Sequence, residues 1–155
     1  MKHNDGEVKW QVSTFNDPML LAGDIGGTKT LLGLFDAEPV RPRPIVVRSF
    51  STLDYQDLPS MIAAFLEDDE APRGTVERAS LGVAGPVLGD SATLTNVPWR
   101  VEGRAVAAAL GITRVHLLND LEAMAWSIPV LKEAEVQVLQ EGVARRGGKD
   151  RKSVV

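Results

Sequence analysis

The chain has 155 residues, 44% of them hydrophobic and 25% charged, which suits one soluble globular domain or a part of something larger and excludes disordered, collagen-like and coiled-coil proteins. With 17 Lys plus Arg against 21 Asp plus Glu, the net charge of −4 is too mild to point to nucleic acid, an anionic membrane or a polyanionic substrate, so a small-molecule partner is expected. Cysteine is absent, which removes disulfides, Cys-ligated zinc, iron–sulfur clusters and a thiol nucleophile, and no stretch approaches the roughly 18 apolar residues of a membrane span.

Residues 1–18 are polar and aperiodic, with no apolar run after Lys2, so they read as a flexible leader rather than a signal peptide, and the expected location is the cytoplasm. Structure is predicted to begin near Met19. Met19–Asp24 forms a first strand, Gly26-Gly27 supplies a turn tolerant of positive φ, and Thr28–Phe35 returns as its hairpin partner. Ile45–Phe50, after a spacer broken by Pro39, Pro42 and Pro44, completes an antiparallel meander.

The period then changes. Leu58, Met61, Ile62, Phe65 and Leu66 mark the apolar stripe of a helix that starts near Asp57, with Pro59 tolerated in its first turn and Glu67–Glu70 as its solvated end. Ala79–Ala84 is a buried strand stopped by Gly85-Pro86, Gly89-Asp90 turns a small hairpin into Ala92–Thr95, and Glu102–Leu110 is a helix ended by Gly111. Val115–Leu118 is the last clear strand. Asn119-Asp120-Leu121-Glu122 opens a helix whose apolar face is Leu121, Met124, Ala125 and Ile128 before Pro129 ends it. The order βββαβαβα predicts an α/β domain with a mixed sheet. The tail from Arg145 to Lys152 reads as a basic solvated loop, and Ser153-Val154-Val155 as the start of a further strand.

Chemistry concentrates in two places. In Gly23-Asp24-Ile25-Gly26-Gly27-Thr28-Lys29, two glycines let backbone N–H groups converge on an anion, Thr28 adds a hydroxyl, and Asp24 is positioned to hold Mg²⁺ through water. A plain Gly-Gly hairpin is the simpler reading. It is not a Walker A loop, since Thr28 stands where that pattern needs glycine before the lysine. Asn119-Asp120 follows a strand directly, where α/β folds gather ligands, so Asp120 suits a base that accepts the proton of an attacking hydroxyl. Asn119 with Glu122 also resembles a helix cap, and the two roles are compatible.

Weaker signals are Gly82–Val87, a buried strand ending in Gly-Pro, and Thr95-Asn96, which offer a hydroxyl and an amide to a polar substrate. Neither His3 nor His116 has a ligand partner at metal spacing, and Tyr55, Trp99 and Trp126 read as packing rather than a base-stacking platform.

Taken in order and spacing, Gly23–Thr28, Leu53-Asp54-Tyr55, Gly82–Val87, Thr95-Asn96, Trp99 and Leu118–Ala123 resemble the bacterial glucokinase family of the sugar kinase and actin superfamily, over about Leu20 to the end of the chain. The resemblance implies an RNase H-like α/β domain, with a mixed five-stranded sheet flanked by helices, and ATP-dependent phosphorylation of glucose at its 6-hydroxyl. It implies that Gly23, Asp24, Ile25, Gly26, Gly27 and Thr28 meet the ATP phosphates, with Asp24 toward Mg²⁺. It also implies that Asn119 bonds sugar hydroxyls, with Thr95 and Asn96 near the substrate, and that Asp120 is the catalytic base.

Lys29 departs from the asparagine often found there, which leaves its role open. The family's second phosphate loop, further sugar ligands and adenosine site have no counterpart here, so residues 19–155 are expected to be an N-terminal lobe without its C-terminal lobe, inactive alone. Glucose is the expected partner, a homodimer is open, and neither nucleic acid nor membrane is expected. The alternatives are a non-catalytic sugar-sensing regulator, although Met1–Pro18 is too short for a helix-turn-helix, and a kinase for another sugar.

Overall fold

The computed structural model describes residues 18–139 apart from 39, 70 and 73, so the expected leader up to Asp17, the basic tail and Ser153–Val155 lie outside the described residues. In chain order the elements are β1 (Met19–Ile25), β2 (Lys29–Asp36), β3 (Arg43–Ser51), α1 (Leu58–Glu67), β4 (Val76–Val83), β5 (Val87–Leu88), β6 (Ser91–Thr93), β7 (Arg100–Glu102), α2 (Gly103–Leu110), β8 (Arg114–Asn119) and α3 (Asp120–Ser127). Short 3-10 turns sit at Thr52–Asp54, Ile128–Val130 and Glu133–Glu135.

Five strands form one mixed sheet in the order β3-β2-β1-β4-β8, as the α/β reading expects. The first three are the antiparallel meander, and β4 and β8 run parallel to β1. The connections to β4 and β8 carry α1 and α2, because a parallel neighbour can be reached only by a crossover. Pro44 is tolerated in β3 because β3 is an edge strand, and the register shifts beside it between Leu34 and Phe35.

Strand alternation builds the core. Leu21 and Ile25 of β1, Leu32 and Leu34 of β2, Leu81 and Val83 of β4 and Leu117 of β8 are buried together with Leu58, Met61, Ile62 and Phe65 of α1 and Val106 of α2. Each of the four α1 side chains is at most 1% exposed and contributes about 1.5–3 kcal/mol by leaving water. The start of α1 is fixed as expected: Asp57 accepts from the Ser60 amide at 2.8 Å, and the Ser60 hydroxyl reciprocates. Phe50 stacks edge-on against both Tyr55 and Phe65, which ties β3 to α1.

Three expectations need correction. Of the acids expected as the solvated end of α1, Glu67 and Asp69 are exposed and Glu70 lies outside the described residues, but Asp68 pairs with Arg48 of β3 at 3.1 Å. The hairpin at Gly89-Asp90 exists, but it belongs to a second sheet, β5-β6-β7, whose third strand has only three residues and shows no period in the sequence. The expected apolar face of α3 is not buried: Leu121 is 69% and Met124 44% exposed, and Ala123 instead meets the sheet at Gly82.

Candidate functional site

Parallel pairing aligns the C-terminal ends of three strands. Asp24 pairs with Gly82, Ile25 with Val83, and Val83 with Asn119, so the segments leaving β1, β4 and β8 open on one edge of the sheet. Ligands in α/β folds collect at such an edge. The sequence's separate signals are therefore brought together by topology.

The turn from β1 to β2 closes with the Gly26 amide donating to the Lys29 carbonyl at 3.1 Å. A Cβ on Gly26 would stand 2.6 Å from that carbonyl oxygen, so glycine is needed for space. The expected reason, positive φ, does not apply: among the described residues only Gly89 and Gly111 have it. The Gly27 and Thr28 amides remain unengaged among the described residues, and the Thr28 side chain is exposed. Two such N–H groups beside an open edge form an anion-seeking surface.

Asn96 lies against this turn, its Cβ 3.1 Å from where a Gly27 Cβ would be. Thr95 is exposed beside it, in a loop that begins after Thr93, so the strand expected over Ala92–Thr95 is shorter than predicted. Gly23 and Ile25 line the buried strand that leads in, and Asp24 between them is exposed. The segment after β4 joins the two motifs. Ala84 donates to the Ile25 carbonyl at 2.9 Å, while the Gly85 carbonyl accepts from Asn119 Nδ2 at 2.9 Å.

Asn119 is the N-cap of α3, its Oδ1 accepting from the Leu121 amide at 3.1 Å. Glu122 does not complete a capping box. Asp120 Oδ1 accepts from the same amide at 2.9 Å, which leaves Oδ2 of a half-buried carboxylate without a partner among the described residues. One hydrogen of the Asn119 amide likewise remains for a ligand. The Asp120 Cα lies 3.9 Å from where a Gly82 Cβ would be, so Asp24 and Asp120 flank the same glycine. Among the described residues no three His, Cys, Asp or Glu gather as a metal site. A single carboxylate at an open edge suits Mg²⁺, which keeps most of its water and takes other oxygens from phosphate.

Two residues in this region carry no motif. Thr30 and Thr52 are fully buried behind the turn and hydrogen-bonded to each other. The only hint in the sequence is a threonine at an inward position of β2.

Residues 21–155 match the family model described as Glucokinase. The chain is 34% identical over 125 residues to a glucokinase of Nostoc punctiforme, covering 80% of this chain and 36% of that relative. Among solved structures it is similar to a glucokinase from an Antarctic psychrotroph, with a TM-score of 0.72 and 25% identity over 83% of this chain and 40% of that one. It is also similar to a glucokinase from Balamuthia mandrillaris in complex with glucose, with a TM-score of 0.54 and 25% identity over 72% of this chain and 32% of that one. The chain thus spans 36% of the length of the curated relative.

Proposed function

The chain belongs to the glucokinase family, and from that premise we propose that it supplies the base-bearing part of an ATP-dependent kinase that converts glucose to glucose 6-phosphate. Its fold is that of sugar kinases with the actin-like ATPase architecture. The observation that carries the proposal is the convergence of the Gly26–Thr28 turn, Asp24, Asn96 and the Asn119-Asp120 pair on one sheet edge.

Each group has a role that its surroundings permit. Asp120 keeps one carboxylate oxygen without a partner among the described residues, and with it orients the 6-hydroxyl of glucose and accepts its proton as the hydroxyl oxygen bonds to phosphorus. Asn119, anchored on Gly85, spends its remaining N–H on a sugar hydroxyl, and Asn96 and Thr95 line the same edge. The Gly27 and Thr28 amides receive phosphate oxygens, and Asp24 holds Mg²⁺ through water. Bound Mg²⁺ supplies neutralisation of phosphate charge. The partners proposed are glucose and ATP, in the cytoplasm; no helix among the described residues is long and apolar enough to cross a membrane.

Phosphoryl transfer depends mainly on positioning, so a chain spanning 36% of its relative should turn over no substrate by itself. The test is a coupled glucose phosphorylation assay on a full-length polypeptide carrying this sequence. Asp120→Asn should lower kcat by roughly 10²–10⁴-fold, the range of general-base catalysis, with little change in glucose affinity. An undiminished kcat in Asp120→Asn would refute the assignment of Asp120 as the base, and turnover by the 155-residue chain at ordinary enzyme rates would refute its expected inactivity.

A further inference from the structure

Behind the Gly26–Thr28 turn lie two hydroxyl groups shut off from water. Thr30 of β2 and Thr52, which opens the 3-10 turn after β3, are both 0% exposed. Burial of a hydroxyl is costly unless it is hydrogen-bonded, and valine would fill the same volume without that demand. Core packing therefore does not explain the pair.

Their bonds have a fixed direction. The two hydroxyl oxygens are 2.9 Å apart, and Thr52 Oγ1 is also 2.9 Å from the Gly26 carbonyl oxygen. A carbonyl can only accept, so the single proton of Thr52 goes to Gly26 and Thr30 must donate to Thr52. The Thr52 amide in turn donates to the Thr28 carbonyl at 3.0 Å. One buried residue thus grips the turn at Gly26 and at Thr28.

Peptide planarity converts this grip into an orientation. In a trans peptide the C=O of Gly26 and the N–H of Gly27 point in opposite directions from one rigid plane. Drawing the Gly26 carbonyl back onto Thr52 therefore turns the Gly27 amide out toward the open edge. Without the hydroxyl, that plane has no such anchor behind the turn.

We propose that Thr52, backed by Thr30, is a positioning residue for phosphate: it fixes the Gly26–Gly27 peptide so that the Gly27 amide is already aimed when phosphate arrives. This rests on the reading of the turn as the phosphate site. The contribution is preorganisation, since Thr52 never touches the ligand.

The test uses the ¹⁵N-labelled 155-residue chain titrated with magnesium tripolyphosphate, reading the Gly27 and Thr28 amide shifts. Thr52→Val should weaken binding about fivefold, the scale of one neutral hydrogen bond, and Thr52→Ser should restore it. Thr30→Val removes only the donor behind Thr52, should weaken binding about twofold, and carries the test if Thr52→Val does not fold. Val106→Ala, on the buried face of α2, controls for stability: it should lower the thermal midpoint and leave the affinity unchanged. Unaltered affinity in Thr52→Val, or a loss matched by Val106→Ala, would overturn the positioning role while the phosphate site stands. If the unsubstituted chain shows no shifts at Gly27 and Thr28, the phosphate reading itself fails, and the positioning role falls with it.

Discussion

A methyl group on Gly85 would meet the Thr93 carbonyl oxygen at 2.1 Å, an overlap that only backbone movement can relieve. The carbonyl of the same residue holds the Asn119 side chain at 2.9 Å, so movement here loosens the proposed sugar ligand as well. Gly85→Ala should therefore cost about 1–3 kcal/mol, as overpacking does, and free the Asn119 amide. Thermal denaturation checks the first effect as a midpoint several degrees lower, and faster exchange of the Asn119 side-chain protons checks the second. An unchanged midpoint would mean that the strand end relaxes without cost. The small residues that end a buried strand at Gly82–Val87 leave room in the sequence for either a close approach of another group or a plain turn. It does not show that the group is Thr93, which reaches Gly85 only through the β5–β6 hairpin.

Among the elements, those closed by neighbours in sequence were legible and those closed from a distance were not. α1 carries its own stripe, and Pro59 confines its start, so both its face and its start could be read, while the Asp57–Ser60 capping box that holds the start is seen in the structure. The end of α2 was equally plain, with Gly111 at φ 64 as its left-handed cap. Its start was read to within one residue, but what holds that start was not, because the support arrives from the β5–β6 turn: Asp90 accepts from the Arg104 amide at 2.9 Å and its backbone carbonyl accepts from Gly103 at 2.9 Å. Asp90→Ala removes the side-chain cap and should cost about 1 kcal/mol, with faster hydrogen exchange at Arg104. The Asp90–Arg104 ion pair is exposed at 3.3 Å and adds little, so Asp90→Asn, which keeps the acceptor, should retain most of the stability. Equal losses in Asp90→Asn and Asp90→Ala by chemical denaturation would shift the weight to the charge pair. The same distinction holds in the site. The strand-end positions of Asp24 and Asn119 were legible, each from the apolar run of its own strand. The Thr30–Thr52 contact was not, since those residues stand 22 positions apart.

At the scale of the whole molecule, the sheet is covered unequally. α1 and α2 close one face, whereas a groove of 660 Å³ opens among Ala22, Ser80, His116, Val130 and Leu131. α3 meets the sheet through Ala123, while its larger apolar side chains stay exposed, Leu121 at 69% and Met124 at 44%. The periodic pattern was read correctly as apolar, but a pattern records only that a face favours burial. Whether it is buried depends on what else is present to pack against it. This makes a stability test possible within two adjacent elements. Leu117→Ala, at a β8 position 6% exposed, should cost about 2–5 kcal/mol, whereas Leu121→Gln should stay within about 0.5 kcal/mol of the unsubstituted chain. Both values follow from denaturation of the 155-residue chain at low concentration. A loss in Leu121→Gln as large as that in Leu117→Ala would mean the outer face of α3 is packed in solution. Because an exposed apolar patch is also a contact surface, sedimentation at several concentrations would then reveal whether a second copy of the chain covers it.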